Sequence, residues 1–119
     1  VSCSRYMPGG KVEAPLQRTK YASLMLNNLI RFFLGIRQTD ITGGFHAISK
    51  ERFLRLRFRY PSVWGEFDLE WFYRAKQHKY KIKEIPFTYV YREQGTSKSR
   101  TLLYVWMYLL RALKLRLFG

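Results

Sequence analysis

Three charged side chains in this sequence stand beside glycines, in settings that could bring them against a phosphate. Arg5 opens "RYMPGG", Asp40 opens "DITGGF", and Arg92 opens "REQGTSK". Glycine permits close backbone approach and positive φ, so a neighbouring side chain can come near a reacting group. The planar fork of arginine suits phosphate oxygens. Asp40 could equally cap its own turn by accepting from a backbone N–H two residues on.

The elements that must position these residues can be predicted from apolar spacing and turn signals. Residues 1–6 favour a strand, followed by a loop in "MPGGKVEAP". Apolar residues at three- and four-residue spacing then indicate a helix from Gln17 or Arg18 to about Leu34, closed by Gly35. The first half therefore reads as strand, loop and helix, with Asp40 in the loop that follows.

The second half continues this alternation. "FHAIS" is predicted to be a strand and Ser49 to cap a short helix in "KERFLRL". "RLRFRYPSVWG" is expected at the surface, and residues 66–79 form a helix with early carboxylates and late cations. "KIKEIPFTYVYR" reads as one strand, in which Pro86 marks an edge or a kink. We therefore predict an α/β fold, with a mixed sheet and flanking helices over residues 1–100.

The last segment, residues 101–119, is expected to be an amphipathic helix. Its apolar run is far shorter than the ~20 residues that span a bilayer, so we expect it to lie on a membrane surface or on the protein. One side is predicted to carry Leu102, Trp106, Leu109 and Leu113, and the other Arg100, Tyr104, Tyr108, Arg111 and Lys114.

Composition limits the class of protein. Hydrophobic residues make up 47% of the 119 residues, too many for a disordered tail, and the net charge of +14 points to an anionic partner. The single cysteine excludes an internal disulfide and a Cys-rich zinc site. His46 and His78 lie far apart in sequence, so a metal site within this chain alone is not expected.

Five motifs occur in an order that resembles a known family. "CSRYMPGG", "DITGGF", "GEFDLE", "IKEIP" and "REQGTSK" follow one another along nearly the whole chain. This arrangement is similar to the C-terminal half of the polyprenyl-phosphate glycosyltransferases of glycosyltransferase family 2, the group that includes dolichol-phosphate mannose synthase. The resemblance implies a GT-A (Rossmann-like) fold and inverting transfer of a sugar from a nucleotide-sugar donor to a polyprenyl phosphate, dolichyl or undecaprenyl.

The resemblance also assigns site residues. Asp40 would be catalytic, as a base or as an orienting group for the acceptor. Arg5, Arg18 and Ser23 would bind the acceptor phosphate, while Arg92, Ser97 and Lys98 would approach the donor diphosphate and could close over it. Glu70 is expected to pair with backbone or an arginine beneath the site, and His46 to be a polar core residue.

The remaining implications concern what surrounds this chain. A divalent metal, Mg²⁺ or Mn²⁺, is expected in the full-length enzyme, with its ligands in an upstream half that also binds most of the donor. Since the sequence opens on "VSCSRY", we expect that N-terminal half to be missing here and the fragment to be inactive alone. The enzyme is expected at the cytoplasmic face of a membrane, against anionic lipids.

Two other readings stay open at this point. The charge and the interleaved aromatic residues would also suit a nucleic-acid-binding module, although no motif of that class is present and nucleic acid is not the expected partner. A membrane-associated scaffold that has lost its site is the second alternative.

Overall fold

The computed structural model describes residues 1–13, 17–60, 66–90 and 101–119, and for residues 17–20 and 101–102 it describes the backbone alone. Helices and small parallel strand pairs are mixed in this part, which agrees with the predicted α/β class. The strands are β1 (Ser2–Ser4), β2 (Lys11–Glu13), β3 (Glu84–Pro86) and β4 (Thr88–Val90). The helices are α1 (Gln17–Leu34), α2 (Lys50–Arg55), α3 (Phe67–Gln77) and α4 (Thr101–Phe118).

The described strands form two small parallel pairs in place of one mixed sheet. β1 pairs with β3, and β2 pairs with β4. The predicted single strand through "IKEIPFTYV" is therefore divided at Phe87, whose N–H donates to the Ser4 carbonyl and whose own carbonyl accepts from the Lys11 N–H. The predicted loop after residue 6 also contains β2, because its backbone finds a partner strand that no local signal reveals.

The predicted strand in "FHAIS" was wrong in extent. His46 forms only an isolated antiparallel bridge to Ser2, flanked by bonds from the Cys3 N–H to the Phe45 carbonyl and from the Ala47 N–H to the Val1 carbonyl. The bridge cannot grow because Ser49 soon turns the chain into α2. There its side chain accepts from the Arg52 N–H, which confirms the predicted cap.

The three long helices and the loops between them enclose the core. Helix α1 packs against α4, and α4 packs against α3. Helix α1 ends at the predicted Gly35, whose φ of +68° is the left-handed conformation that favours glycine at this position. The largest fully buried apolar side chains are Ile30, Leu34, Ile41, Leu56, Leu69, Phe72 and Leu115.

Helix α4 packs on the protein through the side that was predicted to be the more polar one. Arg111 of that side is buried, as are Ala112 and Leu115, whereas Trp106 and Leu113 of the predicted apolar side are exposed. Two carboxylates on or next to α3 draw Arg111 inward, and a helical wheel cannot show them. None of the described helices is both long and apolar enough to cross a membrane.

Candidate functional site

The centre of the candidate site is a buried ion pair between Arg5, just after β1, and Asp40 in the loop after α1. Arg5 Nε lies 2.8 Å from Asp40 Oδ2, and Arg5 Nη2 lies 3.0 Å from Oδ1. The backbone N–H of Arg5 also donates to Oδ2, at 3.0 Å. Two parallel side-chain bonds and one main-chain bond fix the guanidinium plane, which is the strongest geometry an arginine and a carboxylate can adopt.

The carboxylate of Asp40 has no acceptor position to spare. Besides its three bonds from Arg5, it accepts from the Thr42 N–H at 3.2 Å. Each oxygen thus accepts two bonds of 3.2 Å or less, which fills the roughly four positions that a carboxylate offers, and the Thr42 hydroxyl is a further donor to Oδ1 at 3.5 Å. Asp40 is 1% exposed. The turn-capping interpretation of Asp40 is confirmed by the Thr42 bond, and the same side chain orients Arg5.

Two residues that sequence reasoning missed hold the loop of Asp40 in place. The buried Asn27 on α1 donates to the Thr39 carbonyl at 2.7 Å and accepts from the Ile41 N–H at 2.8 Å. Glu84 on β3 accepts from both the backbone N–H and the hydroxyl of Thr39. A signal for Asn27 was present, because an amide stands on the same helical stripe as the buried Ile30.

The two glycines after Asp40 serve different purposes. A Cβ on Gly43 would lie 3.0 Å from Asp40 Oδ2, so only glycine lets the backbone pass over the carboxylate without displacement. Gly44 has a φ of +79°, which other residues rarely adopt. Its own Cβ would meet Asp68 Oδ2 at 3.7 Å. The turn therefore lies between two carboxylates, Asp40 and Asp68.

Two aromatic rings and a hydroxyl group lie close to the guanidinium of Arg5. The Tyr6 and Tyr89 ring centroids lie 4.8 and 5.7 Å from its central carbon, and the Thr42 hydroxyl accepts from Nη2 at 2.8 Å. Burial opposes ionisation, but the hydrogen bond and the charge of Asp40 together raise the pKa of Arg5 above its usual value. Within the described residues Nη1 makes no hydrogen bond, so it is the edge at which an anion can bind.

A pair formed by a carboxylate and a histidine, Asp68 and His46, lies on the other side of the diglycine turn. Asp68 Oδ1 lies 3.0 Å from His46 Nε2, and because an ionised carboxylate only accepts, that nitrogen carries the proton. The imidazole stacks on Trp71 at 4.6 Å, and its Nδ1 is 3.2 Å from the Ser2 hydroxyl. His46 is therefore a satisfied polar residue packed into the core, as predicted.

Tyr108 on α4 faces the same region. Burial, and then the negative charges of Asp68 and Glu66, raise its pKa to about 12, while the positive charge of Arg5 opposes them. The phenol therefore stays neutral at physiological pH and adds no charge next to Arg5. The surface hollow of about 450 Å³ bounded by Trp71, Tyr80 and Ile82 does not include Arg5 or Asp40.

A different arginine cluster lies within the fold around Glu70, which is fully buried. Glu70 accepts from the N–H groups of Arg59 and Tyr60 and from Arg74 Nε and Nη2, both at 3.3 Å. Arg111 Nη1 lies 3.8 Å from it. The expectation that Glu70 pairs with backbone and an arginine is confirmed.

Of the other predicted site residues, the structure describes the side chain of Ser23 alone. Ser23 is half-buried in the second turn of α1 and makes none of the hydrogen bonds around Arg5. Arg18 lies in the first turn of α1, and its side chain is outside what is described. Arg92, Ser97 and Lys98 all fall outside the described residues. Their roles stay predictions.

The described carboxylates do not fit a metal ion. No group of three or more His, Cys, Asp or Glu side chains among the described residues could hold one. Asp68 and Glu70 are two residues apart on α3, so they point to different sides of the helix and cannot chelate together. Their oxygens are already bound to His46 and to the Arg59 and Tyr60 backbone, respectively. The metal of the complete enzyme stays a prediction.

Comparison with known proteins gives two informative relatives. The chain is 35% identical over 98 residues to a polyprenol monophosphomannose synthase of Mycolicibacterium smegmatis, an alignment that covers 80% of this chain and 36% of the relative. It is 36% identical over 98 residues to an undecaprenyl-phosphate mannosyltransferase of Micrococcus luteus, covering 80% of this chain and 40% of that protein. The chain thus spans about two fifths or less of each relative.

The other comparisons gave no match. No family model and no solved structure matches this chain. Identity above one third over four fifths of the chain is nevertheless a strong sequence relationship, and the names of the relatives refer to a polyprenol monophosphomannose and to an undecaprenyl phosphate, respectively. The resemblance that the five motifs predicted is confirmed, and this chain is a homologue of a polyprenol monophosphomannose synthase and of an undecaprenyl-phosphate mannosyltransferase.

Proposed function

We propose that this chain forms the acceptor side of an enzyme that transfers mannose from a nucleotide-sugar donor to a polyprenyl phosphate. The observation that carries the proposal is the fixed guanidinium of Arg5, which keeps one edge available at Nη1. The names of both relatives support a polyprenyl phosphate as the acceptor and mannose as the sugar. Neither the comparisons nor the structure supports the nucleic-acid-binding alternative.

Arg5 binds the acceptor phosphate and presents one of its oxygens to C1 of the sugar. That oxygen forms the new glycosidic bond while the bond from C1 to the donor diphosphate breaks, which inverts C1. The acceptor is already anionic near neutral pH, so orientation and charge neutralisation matter more than proton removal. A preformed arginine supplies both without reorganisation during the reaction.

Other parts of the site complete this proposal. Arg18 and Ser23 of α1 extend acceptor binding, and Arg92, Ser97 and Lys98 neutralise the departing nucleoside diphosphate. We further propose that the chain is part of a GT-A domain of family 2. A divalent metal would supply further charge neutralisation at the diphosphate, held by residues elsewhere in the complete protein.

The surface of α1 and α4 suits the interface of an anionic membrane. These neighbouring helices expose long apolar side chains at three- and four-residue spacing, among them Phe32 at 88% and Trp106 at 61% exposure. Exposed cations accompany them at Lys114 and Arg116 of α4. Such a combination favours binding at the lipid headgroup level, with about 1 kcal/mol from each cation near the surface. The acceptor, a lipid, would be reached from there, at the cytoplasmic face.

Replacement of Phe32 by Ser should weaken binding of the complete protein to vesicles containing phosphatidylglycerol, measured by co-sedimentation. A loss of about 3- to 30-fold is expected, since one buried aromatic side chain is removed from the lipid. The matched control is Leu54→Ser, which removes an apolar residue with 64% exposure from α2. If Phe32→Ser instead lowers the melting temperature and leaves vesicle binding intact, α1 is covered by another part of the protein.

The direct test of the function is a transfer assay with the complete protein. Radiolabelled mannose should move from a nucleoside diphosphate mannose to a short polyprenyl phosphate, and Arg5→Ala should reduce kcat/KM by at least about 100-fold. The surface variant Arg55→Ala, which breaks the exposed pair with Glu51, serves as the control and should transfer normally. Transfer undiminished by Arg5→Ala would exclude Arg5 as the acceptor site.

A further inference from the structure

We propose that Asp40 acts as a positioning residue for Arg5 and is not the base of the reaction. The inference rests on the proposed function, because it assigns how the phosphate-binding arginine is held. Its starting point is that all four acceptor positions of the Asp40 carboxylate are used within the fold, three of them by Arg5. A base needs one free lone pair aimed at the substrate proton.

Burial leads to the same conclusion. Asp40 is 1% exposed, whereas the Arg5 side chain is 12% exposed at the end of β1. The backbone of Gly43 passes so close to Oδ2 that even a Cβ there would lie at 3.0 Å. A substrate therefore meets the guanidinium first, and Asp40 could reach the substrate only after releasing Arg5.

The loop that carries Asp40 is itself held from two elements. Asn27 of α1 bonds the backbone on both sides of Asp40, and Glu84 of β3 bonds Thr39. These contacts belong to the scaffold and do not touch Arg5. The Asn27 and Glu84 contacts fix the position of the Asp40 carboxylate. The two side-chain bonds between Asp40 and Arg5 then fix the orientation of the guanidinium. Arg5 then meets an anion edge-on through Nη1, with the rings of Tyr6 and Tyr89 near the guanidinium carbon.

The proposed transfer reaction does not require a side chain that accepts a proton. A phosphate monoester loses its second proton near pH ~6, so a polyprenyl phosphate arrives largely as the dianion at neutral pH. The nucleophilic oxygen then needs no base, and the bond to C1 forms without proton transfer. The acidic limb of the pH–rate profile should accordingly belong to the acceptor and persist when Asp40 is replaced.

A double-mutant cycle in the complete protein separates the two roles. Asp40→Asn keeps the shape of the side chain, puts an amide in place of one acceptor oxygen and should raise KM for polyprenyl phosphate by about 10- to 100-fold, with a smaller change in kcat. In an Arg5→Ala background the same substitution should cost less than about twofold, because nothing is left to position. Melting temperatures of all four proteins establish that each is folded in the assay.

A base role would give the opposite pattern. Asp40→Asn would then lower kcat by a similar factor with and without Arg5, and the acidic limb would disappear from the pH–rate profile. Either result would overturn the positioning role. Glu51→Gln, which removes a carboxylate from the exposed pair with Arg55, is the matched control and should leave KM, kcat and the limb unchanged.

Two measurements stay informative if the complete protein transfers no sugar to polyprenyl phosphate, an outcome that would overturn the proposed function alone. The Nε–H of Arg5, bonded to Oδ2, should exchange slowly with solvent by NMR and should exchange at least about 10-fold faster in Asp40→Asn. Binding of farnesyl phosphate, measured by calorimetry, should weaken in the same variant. Unchanged exchange together with unchanged binding would overturn the positioning role.

Discussion

Two buried arginine–carboxylate clusters lie in the part of this chain that the structure describes, and they are built differently. At Arg5 and Asp40 the bonds are 2.8 and 3.0 Å, and one arginine contacts one carboxylate edge to edge. At Glu70 one carboxylate serves two backbone N–H groups and Arg74 at 3.3 Å, with Arg111 further away at 3.8 Å. The first cluster fixes an arginine, whereas the second uses a carboxylate to join segments of chain.

This difference shows how the same pair of chemical groups can support binding or folding. Glu70 connects α3 with the chain at Arg59 and Tyr60, and Arg74 extends the connection to the Gly119 carbonyl beyond α4. All of its partners belong to the protein. The side-chain bonds of Arg5 to its carboxylate are shorter than those of Arg74, but Arg5 keeps one amino group outside them. A buried ion pair is therefore a candidate site only when part of it remains available to a ligand.

The largest effect is expected from Glu70→Ala. The substitution leaves two backbone N–H groups and Arg74 without their shared acceptor, so the free energy of unfolding should fall by about 3 to 5 kcal/mol in urea denaturation. The exposed Glu51→Ala should cost less than about 1 kcal/mol. A loss of similar size in both variants would mean that the Glu70 cluster does not join the segments as described.

An intermediate effect is expected from Arg74→Lys, which keeps the charge and loses the planar fork. The bond to the Gly119 carbonyl should be lost with it, which lowers the unfolding free energy by about 1 to 2 kcal/mol. Binding of farnesyl phosphate should not change. Arg5→Lys is the paired variant and should weaken that binding about 10-fold. Equal weakening by both substitutions would erase the distinction between the clusters.

The smallest effect concerns Tyr108, whose pKa responds to charges from both sides of the fold. Its folded pKa of about 12 lies above the ordinary value near 10, so the neutral phenol stabilises the protein fully below pH 10. This contribution should be lost as the pH rises from about 10 to about 12. Tyr108→Phe should flatten the loss of stability over that interval relative to the unaltered protein, by about 2 kcal/mol or less. Identical alkaline denaturation curves would contradict it.

Local signals in the sequence were sufficient for features that depend on neighbouring residues. The bounds of α1 and its glycine end, the Ser49 cap and the charge order of α3 all follow from spacing and capping rules. The close packing expected of the diglycine was found at Gly43 and the positive φ at Gly44. The motif order correctly predicted which proteins are homologous to this chain, since it spans most of the sequence.

Features that depend on distant partners could not be predicted in this way. The pairing of β2 with β4 joins residues about 77 positions apart. Arg111 is buried because it pairs with Glu66, next to α3, and with Glu70 on α3. The same limit applies to Asp40. Its position beside glycines indicated a site, but only the fold shows that its oxygens are all engaged by Arg5 and Thr42.

The backbone of Phe87 has a mechanical consequence for this site. Its N–H is bonded to the end of β1 and its carbonyl to the start of β2, so two adjacent peptide planes, joined at the Phe87 Cα, connect the two strand pairs. Arg5 follows one of these strands directly, and Tyr89, whose ring lies near its guanidinium, stands two residues after Phe87. Because only the two backbone torsions of Phe87 separate the pairs, displacement of one pair would strain the other, and this arginine and its aromatic neighbour should move together when a ligand binds.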